Sequence, residues 1–232
     1  MTDLSGRVAL VTGASRGFGR AAALEFAKAG AHVVALARTV GALEDLDDAI
    51  QAVRGRATLV PLDITDDDGL KRLGAGLFDR WGRIDLWLHT ASYAAPLSPV
   101  AHIGEAELDK ALAVNVRSFQ RLIHVLDPLL RLSSNGMALV AADASESLTF
   151  HGLYRLTKAA QATLTGAWAA EAVGRITVAH LVLPPMPTAQ RARFYPGEPK
   201  DALANPADVA ARLIPALAAV SSGESIRLDP GP

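Results

Sequence analysis

Residues 8–29 read VALVTGASRGFGRAAALEFAKA. A short apolar, β-branched run stops at Thr12, glycines follow at 13, 17 and 19, and an alanine-rich helical pattern closes at Gly30, placed as a C-cap. Strand, glycine turn and helix N-terminus in that order suit a phosphate. Glycine lets the backbone approach the ligand, and the first-turn N–H groups and helix dipole favour an anion. The same glycines also occur in plain strand-to-helix turns; their place at the start of a βαβ pattern gives them meaning. The spacing is G-x-x-x-G-x-G and no Gly-Lys-Ser/Thr follows, which argues against a P-loop nucleotidase.

Elements alternate outward from this stretch. Ala31–Ala37, Ala57–Asp63, Ile84–His89, Met137–Ala142, Ile176–Leu183 and Ser225–Asp229 read as further strands. Between them the apolar spacing predicts helices over Gly41–Val53 (ended by Gly55), from a capping box at Thr65 and Asp68 to Trp81, and over one long stretch, Glu105–Leu132. Further helices follow at Tyr154–Ala172 and from the Asn205-Pro206 cap to Ala219. Pro184–Asn205 holds five prolines and reads as a flap with at most a short helix. The pattern is a doubly wound parallel sheet, residues 1–232 forming one domain, with a dinucleotide expected at the carboxyl ends of the strands.

Composition sets the outer bounds. Half of the 232 residues are hydrophobic and the formal net charge is −1, which gives no electrostatic case for nucleic acid or an anionic membrane. Cysteine is absent and the six histidines show no metal-ligand pair at helical spacing, so neither a disulfide framework nor a metal site is expected. No apolar run spans a bilayer, and MTDLSGR at the start is polar and short; the expected location is cytoplasmic.

Arg38 ends the second strand, where an acidic residue would hold an adenosine ribose 2′-hydroxyl and an arginine suits a 2′-phosphate. Arg16, inside the glycine turn, can approach the same dianion, so the expected cofactor is NADP(H) rather than NAD(H). Tyr154 and Lys158 lie four residues apart on a predicted helix and face the same way. A nearby ammonium favours the phenolate, which brings tyrosine toward acid–base use.

These residues make the chain resemble the short-chain dehydrogenase/reductase family, a Rossmann-like three-layer α/β fold with a seven-stranded parallel sheet. TGASRGFG at 12–19 matches the family's cofactor turn, with Gly13, Ser15, Arg16, Gly17, Phe18 and Gly19 implied as cofactor contacts. LDIT at 62–65 matches the adenine-contacting segment through Asp63 and Ile64. Asn115 in VNVR matches the asparagine that bends the long helix and holds a water extending the proton relay. YRLTK at 154–158 matches the Tyr-x-x-x-Lys pair, Pro184 and Thr188 match the segment after strand six, and LDPG at 228–231 resembles the closing strand.

The resemblance implies hydride transfer between NADP(H) and a carbonyl or secondary alcohol, with Tyr154 as acid/base, Lys158 tuning it and Asn115 supporting the relay. It also implies a homodimer or homotetramer. Three departures qualify this. The family's Asn-Asn-Ala-Gly is here His89-Thr90-Ala91-Ser92, which keeps Ala91. The catalytic serine is replaced in MALVAADAS by Ala142 or Asp143, with Ser145 and Ser147 nearby. Pro185 stands for the glycine of Pro-Gly. They leave a second reading, a degenerate NADP(H)-binding sensor or structural subunit. Tyr93, Leu97, Leu148, Phe150, Met186, Phe194 and Tyr195 are expected to make the substrate pocket apolar; the substrate's identity is not legible.

Overall fold

The computed structural model describes residues 3–143 and 148–228. Strand and helix alternate as β1 (Val8–Thr12), α1 (Gly17–Lys28), β2 (His32–Ala37), α2 (Val40–Ala52), β3 (Arg56–Pro61), α3 (Asp67–Trp81) and β4 (Leu86–His89). They continue as α4 (Glu105–Leu112), a π turn (Ala113–Arg117), α5 (Ser118–Arg131), β5 (Met137–Asp143), α6 (Gly152–Glu171), β6 (Thr177–Leu183), α7 (Ala189–Phe194), α8 (Pro206–Ala216) and β7 (Ser225–Arg227).

The strands form one parallel sheet in the order β3-β2-β1-β4-β5-β6-β7. β1 is buried along its length because both its faces are covered. Ala9 and Val11 pack into a core with Phe26 of α1, Leu46 of α2 and Leu213 of α8. Val8 and Leu10 face the other core, with Leu73 of α3, Phe119 of α5 and Trp168 of α6. The chain winds outward from β1 to β3, then crosses back to β4 and winds the other way. The carboxyl ends of β1 and β4 therefore border the crevice where this topology seats a ligand. At the opposite end Asp85 is buried as a staple. Its carboxylate accepts from the Ser133 hydroxyl (2.6 Å), Arg83 Nε (2.9 Å) and Val8 N (2.8 Å).

Three expectations need correction. The stretch 105–132 is not one helix, because the π turn at Ala113–Arg117 divides it. The cap of α3 is Asp66, which accepts from Gly69 N at 3.0 Å, whereas Thr65 turns its hydroxyl to Asp63 and Asp68 pairs with Lys71. After α2 the left-handed residue is Arg54 (φ 59°), and Gly55 is small for packing: a Cβ there would lie 2.9 Å from both Ala27 Cβ and Ile50 Cγ2. Gly30 ends α1 as expected: it is left-handed (φ 96°) just past Ala29, and Gly30 N and Ala31 N donate to Ala27 O and Phe26 O, both at 3.0 Å. The Asn205 cap is as expected, its side chain accepting from Ala207 N at 2.9 Å.

Candidate active site

β1 delivers the chain into a tight turn. Gly13 N and Ala14 N both donate to Leu36 O (2.9 and 3.2 Å), and Gly13 has φ 88°. A Cβ on Gly13 would lie 2.7 Å from Ala91 N and Thr90 Oγ1, so the turn can close against β4 only as glycine. α1 begins at Gly17 with no side-chain cap and no acid in its first turn. Its free N–H groups and positive end therefore meet no internal counter-charge, which suits a phosphate.

From this turn a cleft of about 380 Å³ runs across the carboxyl ends of the strands. Gly13, Ser15, Arg16, Gly17, Phe18 and Gly19 line its first end, and Arg38, Asp63 and Ile64 flank it. Ala91, Tyr154, Lys158 and Thr188 line the remainder. Pro184 lines the adjoining cavity of about 310 Å³, which shares Asp143, Tyr154, Lys158 and Gln190 with the cleft. Arg38 stands 3.8 Å from Asp63 and is 67 % exposed, leaving its guanidinium open to a ligand. Thr188 caps α7 by accepting from Arg191 N at 3.2 Å.

Tyr154 is buried at the junction of the two cavities, its ring edge-on to Phe194 at 4.9 Å. Its hydroxyl donates to the Asp143 carboxylate and accepts from Gln190 Nε2 at 2.8 Å. Burial foremost, then the Asp143 charge, hold the phenol well above its ordinary value of 10, while Gln190 and the Ser92 hydroxyl pull it the other way. Ser92 Oγ is itself buried without a well-aligned partner. Of the alternatives Ala142 and Asp143 for the serine's place, it is therefore Asp143 whose side chain reaches the tyrosine. Ser145 and Ser147 lie outside the described residues, as do positions 229–231 of the closing motif.

Behind Tyr154 lies a buried polar network. Lys158 Nζ donates to Ala141 O and to Gln161 Oε1, both at 2.7 Å. Gln161 Nε2 donates to Asn115 O at 2.7 Å and meets His89 Nε2 at 3.4 Å. The Asn115 side chain clamps Tyr93, accepting from its N (2.6 Å) and donating to its O (2.9 Å), and also donates to Thr157 Oγ1 (3.0 Å). The π turn accounts for the carbonyl: an extra residue in the turn withdraws it from the helical ladder. Burial, opposed by Asp143, lowers the Lys158 ammonium from its ordinary value. Burial, with the Lys158 charge, pushes His89 down to about 3, so His89 is a neutral ring bonded to Thr12 Oγ1 at 2.8 Å.

Gln161 and Gln190 went unread in the sequence because each lies a few residues from a recognisable motif, and Ser92 is legible there only as a departure from the Asn-Asn-Ala-Gly motif, not as a polar group beside Tyr154. Of the expected pocket residues, Met186, Phe194 and Tyr195 line the cavity beside Tyr154. Tyr93 lines the cleft. Leu97, Leu148 and Phe150 belong to neither lining and are exposed. Phe150, at φ 63°, is in a left-handed conformation just ahead of α6.

Comparison with known proteins agrees with this geometry. A family model described as short chain dehydrogenase matches residues 7–198. Sorbitol dehydrogenase of Cereibacter sphaeroides is 32% identical over 174 residues, which cover 70% of this chain and 63% of that protein. An NAD-dependent oxidoreductase of Mycobacterium tuberculosis is 32% identical over 185 residues, 73% of this chain and 67% of that one. A short chain dehydrogenase of Shigella flexneri, solved in complex with NADP, superposes with a TM-score of 0.90 at 25% identity, over 98% of this chain and 99% of that one. Among the described residues, no helix is long and apolar enough to cross a membrane.

Proposed function

The chain belongs to the short chain dehydrogenase family, and on that premise we propose that it is an NADP(H)-dependent oxidoreductase acting on a carbonyl or secondary alcohol. The observation that carries this reading is the meeting of Tyr154 and Lys158 at the junction of a glycine-turn cleft and a second, largely apolar cavity. A nicotinamide in the cleft would supply or accept the hydride. Gly13, Gly17 and Gly19 with the α1 N-terminus would hold its pyrophosphate, and Arg16 and Arg38 the 2′-phosphate. The uncapped helix start and the open Arg38 guanidinium fit such a group.

Tyr154 gives its proton to the substrate oxygen in reduction. Lys158, with two of its three N–H groups spent inside the protein, keeps one for the cleft, where it stabilises the phenolate and orients a ribose hydroxyl. The raised Tyr154 value keeps the phenol form over the ordinary pH range, the form that donates a proton in reduction. Gln190 Nε2, 2.8 Å from the Tyr154 hydroxyl, and Ser92 Oγ beside it are neutral donors that would take the part of the missing serine.

A second reading, an NADP(H)-binding subunit without turnover, rests on the Asp143 carboxylate at the Tyr154 hydroxyl. A carboxylate there can only accept and opposes a developing oxyanion. A panel of ketones, quinones and acyl carbonyls, scored by loss of NADPH absorbance in wild type and in Tyr154→Phe, separates the two. Turnover that Tyr154→Phe abolishes supports the enzyme.

A further inference from the structure

We propose that the site is built for an α-hydroxy ketone, or in the reverse sense a vicinal diol, and that Asp143 is the residue that reads the neighbouring hydroxyl. In this structure the Asp143 carboxylate holds the Tyr154 hydrogen. The substrate's own hydroxyl takes that hydrogen's place on the carboxylate, which releases Tyr154 toward the carbonyl oxygen. The inference rests on the oxidoreductase reading and narrows its substrate class.

Asp143 ends β5, and its hydrogen bonds among the described residues, from the Tyr154 hydroxyl and from Gln190 Nε2 at 3.4 Å, both fall on Oδ2. A carboxylate has no hydrogen to give. It cannot bind a carbonyl oxygen, and while it keeps the phenolic hydrogen Tyr154 cannot donate to one either. A plain ketone brings nothing to replace that hydrogen; a hydroxyl does. The two oxygens of an α-hydroxy ketone sit on neighbouring carbons, about as far apart as two hydrogen-bonded oxygens, roughly 2.7 Å. Asp143 Oδ2 and Tyr154 Oη are themselves such a pair. The substrate's oxygens can therefore lie along them, hydroxyl to carboxylate and carbonyl to phenol, so that one bond is broken and two are made. Gln190 Nε2, 2.8 Å from the phenolic oxygen, keeps Tyr154 in place meanwhile.

The surrounding charges favour a neutral donor over a cationic one. Asp143 acts on Lys158 of α6 and on Arg191 of α7, its charge favouring the protonated form of each. Arg191 is also paired with Glu198 at 2.6 Å, and Arg155 lines the same cavity. An ammonium or iminium on the substrate would meet these cations, whereas a hydroxyl gives the carboxylate a hydrogen and adds no charge. The remainder of the substrate is apolar, because Leu183, Met186, Phe194 and Tyr195 line the cavity beside Tyr154. In reduction the carbonyl carbon gains one hydride from the dihydronicotinamide, its oxygen gains the Tyr154 proton, and the phenolate recovers a proton from water. The neighbouring hydroxyl keeps its own proton throughout, and the product is a vicinal diol.

Three aryl ketones test this with NADPH: α-hydroxyacetophenone, its α-methoxy ether, and acetophenone. The ether keeps the electron withdrawal of the added oxygen and loses only the donor. The wild type should reduce the hydroxy ketone with a kcat/KM roughly tenfold to hundredfold above the ether, the worth of one hydrogen bond to a charged group. The difference should appear in kcat as well as in KM, because the hydroxyl also frees the Tyr154 proton. In Asp143→Ala the ratio should fall to about one, since the acceptor is gone. A second arm needs no turnover. In Tyr154→Phe loaded with NADPH, calorimetry should show the hydroxy ketone binding roughly tenfold or more tighter than the ether. Equal wild-type values for hydroxy ketone and ether, or a preference that survives Asp143→Ala, would overturn the proposal and leave the oxidoreductase reading standing, because the ketones are still reduced. Should Asp143→Ala fail to fold, the wild-type and Tyr154→Phe comparisons still decide. NADPH binding with all three ketones inert, in wild type and in Asp143→Ser alike, would instead count against the oxidoreductase reading, and the calorimetric arm would still judge whether the site reads the hydroxyl.

Discussion

The Tyr154 hydroxyl gives its hydrogen to the Asp143 carboxylate where the cleft and the second cavity meet. Burial and this carboxylate both raise the phenol. The sign is definite: reduction needs the phenol and persists below the Tyr154 value, whereas oxidation needs the phenolate and rises only toward it. Reduction should therefore show no alkaline loss from Tyr154 below about pH 10, and oxidation should climb with pH throughout. Asp143→Asn removes the charge, so the Tyr154 titration and the oxidative limb should both move to lower pH. Ultraviolet difference titration against Tyr154→Phe measures the first and alcohol oxidation profiles the second. An unmoved titration would show that burial alone sets the value.

Cofactor choice rests on Arg38 and Arg16 at the end of the cleft. Arg38 is tied only loosely, 3.8 Å from Asp63, so it is available to a 2′-phosphate. NADPH should bind more tightly than NADH by roughly 1.5–3 kcal/mol, the worth of a charge-assisted hydrogen bond. Arg38→Asp should reverse the order in calorimetric titration. Equal wild-type affinities would remove the case for NADP(H).

The wound order of strands and helices was legible because each strand between covering layers is a near-continuous apolar run and each helix shows its own period. The cleft was legible because glycines, Arg38 and Tyr154–Lys158 sit at fixed places in that order. Local hydrogen-bond choices were not. The α3 cap at Asp66 depends on Thr65 being drawn to Asp63. The bend at Asn115 was implied by the resemblance, but the grip of its side chain on the Tyr93 backbone of a distant loop was not. Gln161 carries no signal of its own: a glutamine on an alanine-rich helix reads as surface until the fold turns it onto Lys158.

Assembly can be tested on α6. Leu156, Ala159, Thr163, Gly166 and Ala170 form an exposed face of mostly small or apolar side chains on this helix, a surface suited to close helix pairing across a two-fold axis. A homodimer or homotetramer is expected in light scattering at micromolar concentration. A Cβ on Gly166 meets nothing within 4 Å inside the chain, so Gly166→Arg should leave the fold intact and shift the protein to monomer. A monomeric wild type would rule the surface out.

Asp85 sets a stability test away from the site. Burial alone would raise its carboxyl, but the Ser133, Val8 and Arg83 hydrogen bonds overrule this and lower it. A depressed folded value means that its contribution is present above the unfolded value of 3.8 and is lost as pH falls through the folded one. Asp85→Ala should cost about 3 kcal/mol at neutral pH, because it leaves Val8 N and the Ser133 hydroxyl hydrogen without an acceptor. The loss should shrink as pH falls below 4, as read by urea unfolding. A pH-independent loss would assign the effect to packing.

Turnover itself is decided at Tyr154 and Asp143 together. If Tyr154 is the acid, Tyr154→Phe should lower any reductase rate by about 10²–10⁴ while NADPH affinity changes little. The wild type should be slow on generic ketones, because the carboxylate beside the hydroxyl cannot donate to the substrate oxygen and resists its charge. Asp143→Ser exchanges that carboxylate for a donor, and the gain is bounded by the worth of one oxyanion-hole bond, roughly 2.7–4 kcal/mol. Gln190 and Ser92 already lie near the oxygen, so the realised gain should fall short of that bound. A fast wild type that Asp143→Ser slows, with Ser92→Ala or Gln190→Ala slow as well, would show that these two supply the bond and that Asp143 serves a substrate that needs an acceptor. NADPH binding with no reduction of any carbonyl, even in Asp143→Ser, would leave the binding-subunit reading in place of the enzyme.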